Sequence, residues 1–182
     1  MCDNKEQKQK GGAGREILSW IKTIVLAVLI AIAINSFVIV NATVPTGSME
    51  NTIMPGDRII ALRLTYYFSH PERGDIAVFK YPDDESVLYV KRVIGLPGET
   101  VEIRDGKVYI NGSEEPLNDD FVKETPVGDY GPYEVPEGCY FMMGDNRNDS
   151  LDSRFWVNKY VEEDKILGKV YFKYYKGFEF LD

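Results

Sequence analysis

Two hydrophobic patterns divide this chain. Residues 23–49 carry no charge, and residues 24–34 are an unbroken aliphatic run with no amphipathic stripe. About 20 apolar helical residues cross the ~30 Å hydrocarbon core of a bilayer. Residues 23–41 are therefore predicted to form a transmembrane helix. Past residue 50 the pattern becomes short β-type runs at 57–64, 75–80, 87–94, 100–104, 107–110, 139–143 and 166–171, separated by turn residues. Asp105-Gly106 between two of them is a hairpin signal, because a type I′ turn needs residues that tolerate positive φ. Leu96-Pro97-Gly98 and Asn111-Gly112 mark further turns. With no helix-length periodic segment after the apolar run, the fold expected is mainly β: antiparallel sheets forming a packed domain, preceded by one N-terminal transmembrane helix. Residues 111–138 are rich in proline and acidic side chains with little periodicity. They are expected to be a loop-rich insertion, so that about 105–140 make a small cap on the main sheet.

The flanks of the apolar run orient it. Lys5, Lys8, Lys10, Arg15 and Lys22 precede it, and positive charge on a short flank keeps that side in the cytoplasm. Residues 1–22 then form a cytoplasmic tail and interface, with Gly11-Gly12-Ala13-Gly14 as a flexible stretch and Trp20 and Lys22 at headgroup level. Residues 42–182 become an extracytoplasmic domain. Two other readings compete. A buried core helix would be shorter and striped. A cleaved secretory signal draws support from Val40-Asn41-Ala42, which has the small-residue look of a cleavage site, but the run exceeds the usual signal core of roughly 7–15 residues.

Composition narrows the function. A hydrophobic content of 44% with 13% aromatics supplies a packed core and argues against disorder. The net charge is −8, and residues 41–182 alone carry 16 basic against 26 acidic side chains, so no basic footprint for nucleic acid exists. Cys2 and Cys139 make no disulfide framework and, on the anchored reading, lie on opposite sides of the membrane. No Cys/His cluster has metal-ligand spacing, so no metal and no cofactor are expected.

Chemistry centres on Ser48, in Thr46-Gly47-Ser48-Met49 just past the apolar run. A serine nucleophile needs a base. The only histidine, His70, lies in a Ser-His-Pro turn. Lysine can serve instead if burial lowers its pKa from about 10.4 by several units. Lys91, in the apolar strand-like run Tyr89-Val90-Lys91-Arg92-Val93-Ile94, suits that requirement. Each feature has a plainer explanation: a serine after glycine is usually a turn hydroxyl, Lys91 beside Arg92 resembles an edge-strand charge, and residues 146–153 could be only a polar loop.

Four blocks in order outweigh those explanations: Pro45-Thr46-Gly47-Ser48-Met49 with Met54-Pro55-Gly56-Asp57; Arg73-Gly74-Asp75-Ile76-Ala77-Val78-Phe79; residues 89–99; and residues 144–156, from Gly144-Asp145-Asn146-Arg147 to Ser153-Arg154-Phe155-Trp156. In these the chain resembles the bacterial type I signal peptidases, membrane-anchored Ser/Lys proteases that remove signal peptides from exported proteins. The resemblance implies Ser48 as nucleophile, Lys91 as neutral base, and the Ser48 amide with the Thr46 hydroxyl as the oxyanion hole. Many members have serine at the position of Thr46; threonine keeps the hydroxyl. It further implies that Ser150 hydrogen-bonds and positions the lysine, that Gly144 leaves space beside it, and that Met49 packs beneath the nucleophile. Asp145 with Arg92, and Asp152 with Arg154, would be structural ion pairs. Val44 and Pro45 would line the substrate site. The implied substrates are signal peptides of exported preproteins with small residues at −1 and −3, met near the secretion translocon at the outer face of the cytoplasmic membrane, with membrane lipid as the anchor's surroundings. Val157 departs from the family, where glycine is common, and the short interval 99–144 implies a small cap. Self-cleaving repressor-type proteases share the dyad but lack the anchor and carry a DNA-binding domain. A catalytically idle anchored β domain is the alternative from another class, and an acylating inhibitor of Ser48 would separate it from an enzyme.

Overall fold

The computed structural model describes residues 12–122, 124–175 and 177–181. Cys2 and the basic residues Lys5, Lys8 and Lys10 lie outside the described residues. Helix α1 spans Gly12–Phe37. Within it Gly14–Phe37 is a 24-residue span with an 18-residue stretch of mean hydropathy 2.5, none of it buried, long and apolar enough to cross a membrane. Two boundaries differ from the sequence expectation. The helix begins well before residue 23, taking in Arg15, Trp20 and Lys22, and it stops at Phe37 rather than reaching residue 41. Asn35 and Ser36 are weak helix formers whose side chains compete for backbone groups. Just beyond them β1, Ile39–Thr43, pairs antiparallel with β2, Arg58–Leu62, in the register Val40↔Ala61 and Ala42↔Ile59. Val40 then enters the core.

The remaining strands are β3 (Ile76–Tyr81), β4 (Asp84–Gly95), β5 (Thr100–Arg104), β6 (Lys107–Ile110), β7 (Tyr130–Glu134), β8 (Cys139–Met143), β9 (Val161–Glu162), β10 (Ile166–Lys173) and β11 (Glu179–Phe180). A short helix α2, Thr65–Phe68, follows β2. Among the described residues the main sheet has eight strands in the order β1-β2-β10-β3-β4-β8-β9, with β11 paired to β10. The late strand β10 inserts between β2 and β3, so the C-terminal part of the chain closes the sheet that carries both β1 and β4.

A smaller sheet, β6-β5-β7, forms the cap. Its β5–β6 hairpin turns at Asp105-Gly106, both at positive φ. The segment expected to be loop-rich therefore contains a strand. Gly131 and Pro132 hide β7 in the sequence, and Pro132 is tolerated because β7 is an edge strand with no partner on its outer side. The buried core falls into three clusters. Met49, Ile53, Ile59 and Val170 pack under the β1–β2 end; Phe79, Tyr140 and Trp156 pack around β3 and β8; Ile94, Val101, Ile103 and Phe141 bind the cap sheet to the main sheet.

Candidate active site

The loop that carries Ser48 hangs from β1. Its exit is fixed by Val44 N–H to the Asp57 carbonyl at 2.9 Å and Gly56 N–H to the Val44 carbonyl at 2.7 Å. Residues 46–53 coil into turns, with Glu50 N–H on the Gly47 carbonyl and Ile53 N–H on the Met49 carbonyl. Met49 is wholly buried and ties the loop to the core. Ser48 sits directly above it, 9% exposed.

Lys91 comes from β4, opposite Ala77 of β3, and is 3% exposed. Successive side chains of a strand leave opposite faces. Lys91 therefore turns one way, where Nζ donates to Ser48 Oγ, while Arg92 turns the other way to Asp145. Burial lowers the Lys91 pKa from 10.5 to about 8; the nearby carboxylates Asp152 and Asp145 oppose that shift and the Arg154 guanidinium reinforces it. Thr46 Oγ1 lies 3.4 Å from Ser48 Oγ, on the same side of the loop.

The last block packs behind this pair. Arg92 holds Asp145 through Nε–Oδ1 at 2.8 Å and Nη2–Oδ2 at 2.7 Å, and its Nη1 donates to the Gly74 carbonyl at 2.7 Å. Thr52 Oγ1 donates to Asp145 Oδ2 at 2.5 Å. Arg154 holds Asp152 in the same bidentate way, at 2.8 and 2.9 Å, and Asp152 Oδ2 also accepts the Gly144 N–H at 3.0 Å. Gly144 has no room for a side chain: a Cβ there would lie 2.3 Å from both the Ser48 carbonyl and Ser150 Oγ. Ser150 is thus brought to the site and buried, but its Oγ has no hydrogen-bond partner among the described residues: the bond to Lys91 that the family resemblance implies is not made, and Nζ bonds Ser48. His70 is elsewhere, exposed, with Nδ1 2.6 Å from Glu163 Oε1.

Asn146 has a place that no periodicity signalled. Its Nδ2 donates to the Gly47 carbonyl at 3.0 Å and its backbone N–H to the Ser48 carbonyl at 3.2 Å. The only sequence hint was its position inside the last block.

A cleft of about 470 Å³ opens over Ser48 and Lys91. Residues 42–48, including Val44 and Pro45, form one wall, residues 87–91 the other, with Val78 between and Asp149 and Leu151 at the rim. The first wall runs from the end of edge strand β1 into the loop at 44–48, and the second is an edge of β4. Among the described residues β1 ends the sheet, and β8 joins β4 only from Arg92 onward, leaving residues 87–91 without a ladder partner on that side. Cavities of about 400 and 510 Å³ elsewhere contain neither Ser48 nor Lys91. Among the described residues no group of three His, Cys, Asp or Glu side chains is placed to hold a metal ion. The arrangement places a hydroxyl beside a lysine amine of lowered pKa, at the floor of an open cleft.

Known proteins are similar to this chain in sequence. The family described as "Signal peptidase, peptidase S26" matches residues 17–175. A probable signal peptidase I-2 from Synechocystis sp. is 38% identical over 159 residues, spanning 85% of this chain and 71% of that one. The signal peptidase I of Bacillus licheniformis is 36% identical over 183 residues, 96% of this chain and 95% of the relative. A solved signal peptidase I from Enterococcus faecalis is 36% identical, covering 56% of this chain and 97% of that one at a TM-score of 0.48. With the match running from inside α1 to beyond β10, the chain belongs to the signal peptidase family, peptidase S26.

Proposed function

We propose that this enzyme cleaves signal peptides from exported preproteins with Ser48 as nucleophile and Lys91 as base, through an acyl-enzyme. The observation that carries the reading is the Lys91 Nζ to Ser48 Oγ hydrogen bond, made by a buried lysine whose pKa is held near 8. A neutral amine takes the Ser48 proton as Oγ attacks the scissile carbonyl. The resulting ammonium protonates the departing amine, and the regenerated amine then activates the water that hydrolyses the ester. The Ser48 N–H and the Thr46 hydroxyl receive the negative charge on the carbonyl oxygen. The Arg92–Asp145 and Arg154–Asp152 pairs hold the last block against the lysine strand, and Ser150 and Gly144 shape the space behind the dyad.

The cleft's walls, the end of edge strand β1 with its loop and an edge of β4, suit a substrate that adds as an extended strand, which places alternate side chains on one face. The cleft wall at Val44 and Pro45 would then read small residues at −1 and −3 together. Helix α1 anchors the enzyme in the cytoplasmic membrane with its basic flank inside and residues 42–182 outside, near the translocon, where a signal peptide's cleavage site emerges. The test is cleavage of a preprotein by the detergent-purified chain against Ser48→Ala, with thermal unfolding in parallel. Wild-type turnover in a folded Ser48→Ala protein would end this assignment.

A further inference from the structure

The last block is covered by the loop that joins β6 to β7. Val127 N–H donates to Asn148 Oδ1 at 2.9 Å, Asn148 N–H to Glu124 Oε1 at 3.0 Å, and Asn148 Nδ2 to the Thr125 carbonyl at 3.0 Å. Ahead of these ties, a turn closed by Val122 N–H on the Asp119 carbonyl at 2.8 Å sends two side chains inward. Asp119 Oδ2 accepts from Arg147 Nη1 at 2.5 Å. The Phe121 ring centre stands 4.0 Å from Arg92 Cζ and 5.7 Å from Arg147 Cζ, so one aromatic ring serves two guanidinium groups.

Both arginines are deeply buried, at 4% and 2% exposure. Arg92 fixes Asp145, as described above. Arg147 Nε donates to the Gly144 carbonyl at 3.2 Å. Gly144 is the residue wedged against the Ser48 carbonyl. A continuous line of contacts therefore runs from Asp119 through Arg147 and Gly144 to the nucleophile.

Stability is a poor reason for this pair. Desolvation offsets much of the attraction in a buried ion pair. Here Arg147 Nη2 and Asp119 Oδ1 are also buried without a partner among the described residues. What a planar guanidinium with fixed donor directions supplies well is geometry.

We propose that Asp119 and Phe121 are positioning residues for peptide hydrolysis: they set the two buried guanidinium groups and, through the Gly144 carbonyl, the place of Ser48 relative to Lys91. The proposal rests on the Ser48–Lys91 reading given above. Neither residue lines the cleft, so substrate binding is spared and the effect falls on the chemical step.

Steady-state cleavage of a preprotein by the detergent-solubilised full chain tests it, using Asp119→Asn, Asp119→Ala, Phe121→Leu and Phe121→Tyr, each with its melting curve and with Ser48→Ala as control. In Asp119→Ala and Phe121→Leu, kcat should fall about 10–100-fold, the cost of a small misplacement at the reacting atoms, while KM stays within about twofold. Phe121→Tyr keeps the aromatic face and should restore most of the loss. Should Asp119→Ala not fold, the isosteric Asp119→Asn carries the same expectation. Unchanged kcat in folded Asp119→Asn and Phe121→Leu, or a loss confined to KM, overturns the proposal. An inactive Ser48→Ala beside such variants would remove this proposal alone, whereas an active Ser48→Ala would remove the dyad beneath it.

Discussion

Lys91→Met should make the protein inactive and, at neutral pH, more stable. Methionine is close to lysine in length and fills the same apolar site without a charge. Burial depresses the Lys91 pKa from 10.5 to about 8, which at about 1.4 kcal/mol per tenfold change in proton affinity is a penalty of about 3 kcal/mol for a fully charged side chain. The sign follows from linkage. Below pH 8 the lysine is protonated in both folded and unfolded chains, and the folded state bears the whole penalty. Between about pH 8 and 10.5 the folded lysine loses its proton first, the unfolded chain binds more protons, and stability rises with pH until the penalty is gone. Methionine carries no such dependence. The advantage of Lys91→Met over wild type should therefore be about 3 kcal/mol larger at pH 7 than at pH 10.5. Loss of the hydrogen bond to Ser48 subtracts about 1 kcal/mol at every pH and leaves that difference untouched. Urea unfolding of the detergent-solubilised chain at a series of pH values measures it, and tyrosines and other lysines that titrate in the same range cancel between the two proteins. A stability difference that stays flat from pH 7 to 10.5 would refute the depressed lysine and with it the neutral base.

Turnover should rise with pH through about 8 as Lys91 loses its proton, and Lys91→Arg should be inactive across that range because a guanidinium stays charged; an active Arg variant contradicts the mechanism. Thr46→Val removes a hydroxyl at nearly constant volume and should cost ~10²–10³ in kcat, whereas Thr46→Ser stays active; normal turnover in the valine variant would leave the hole to the Ser48 amide alone. Gly144→Ala should lower both melting temperature and kcat, since its Cβ would meet the Ser48 carbonyl and Ser150 Oγ at 2.3 Å; a fully active, equally stable alanine variant would show that this contact relaxes freely.

Much of the β domain was legible in the sequence, for a physical reason. Runs such as 100–104 and 107–110 alternate sides and are bounded by a turn that only certain residues can make, so local preference and tertiary pairing agree. Agreement fails at β1. Ile39 and Val40 continue the apolar composition of α1, and only pairing with β2 turns them into strand. It fails again at β7, where Gly131 and Pro132 erase the alternation. The two-residue strands β9 and β11 exist through their neighbours β8 and β10 and have no pattern of their own. Ser48 and Lys91, 43 residues apart, were legible through ordered blocks rather than through periodicity. Asp119 carried no signal at all, because an acidic residue in a proline-rich loop is ordinary until Arg147 is seen beside it.

Under the proposed mechanism, the pairing of β1 with β2 bears on self-recognition. Val40-Asn41-Ala42 has the small, spaced side chains of a cleavage site and lies a few residues from Ser48 on the same polypeptide. An enzyme that reads its substrate as an added strand demands a chain whose backbone groups are still unclaimed. In β1 the row facing β2 is claimed: each residue from Ile39 to Thr43 faces a partner there, and the Val40 side chain is turned into the core. To cut itself there, one molecule would have to peel away the strand that carries its own nucleophile loop, and a peeled molecule has no assembled dyad to cut with. On the proposed mechanism, resistance to self-cleavage within a single copy would come from folding, with no need for a forbidden sequence. Between two copies it lasts as long as the victim's first strand stays in its sheet.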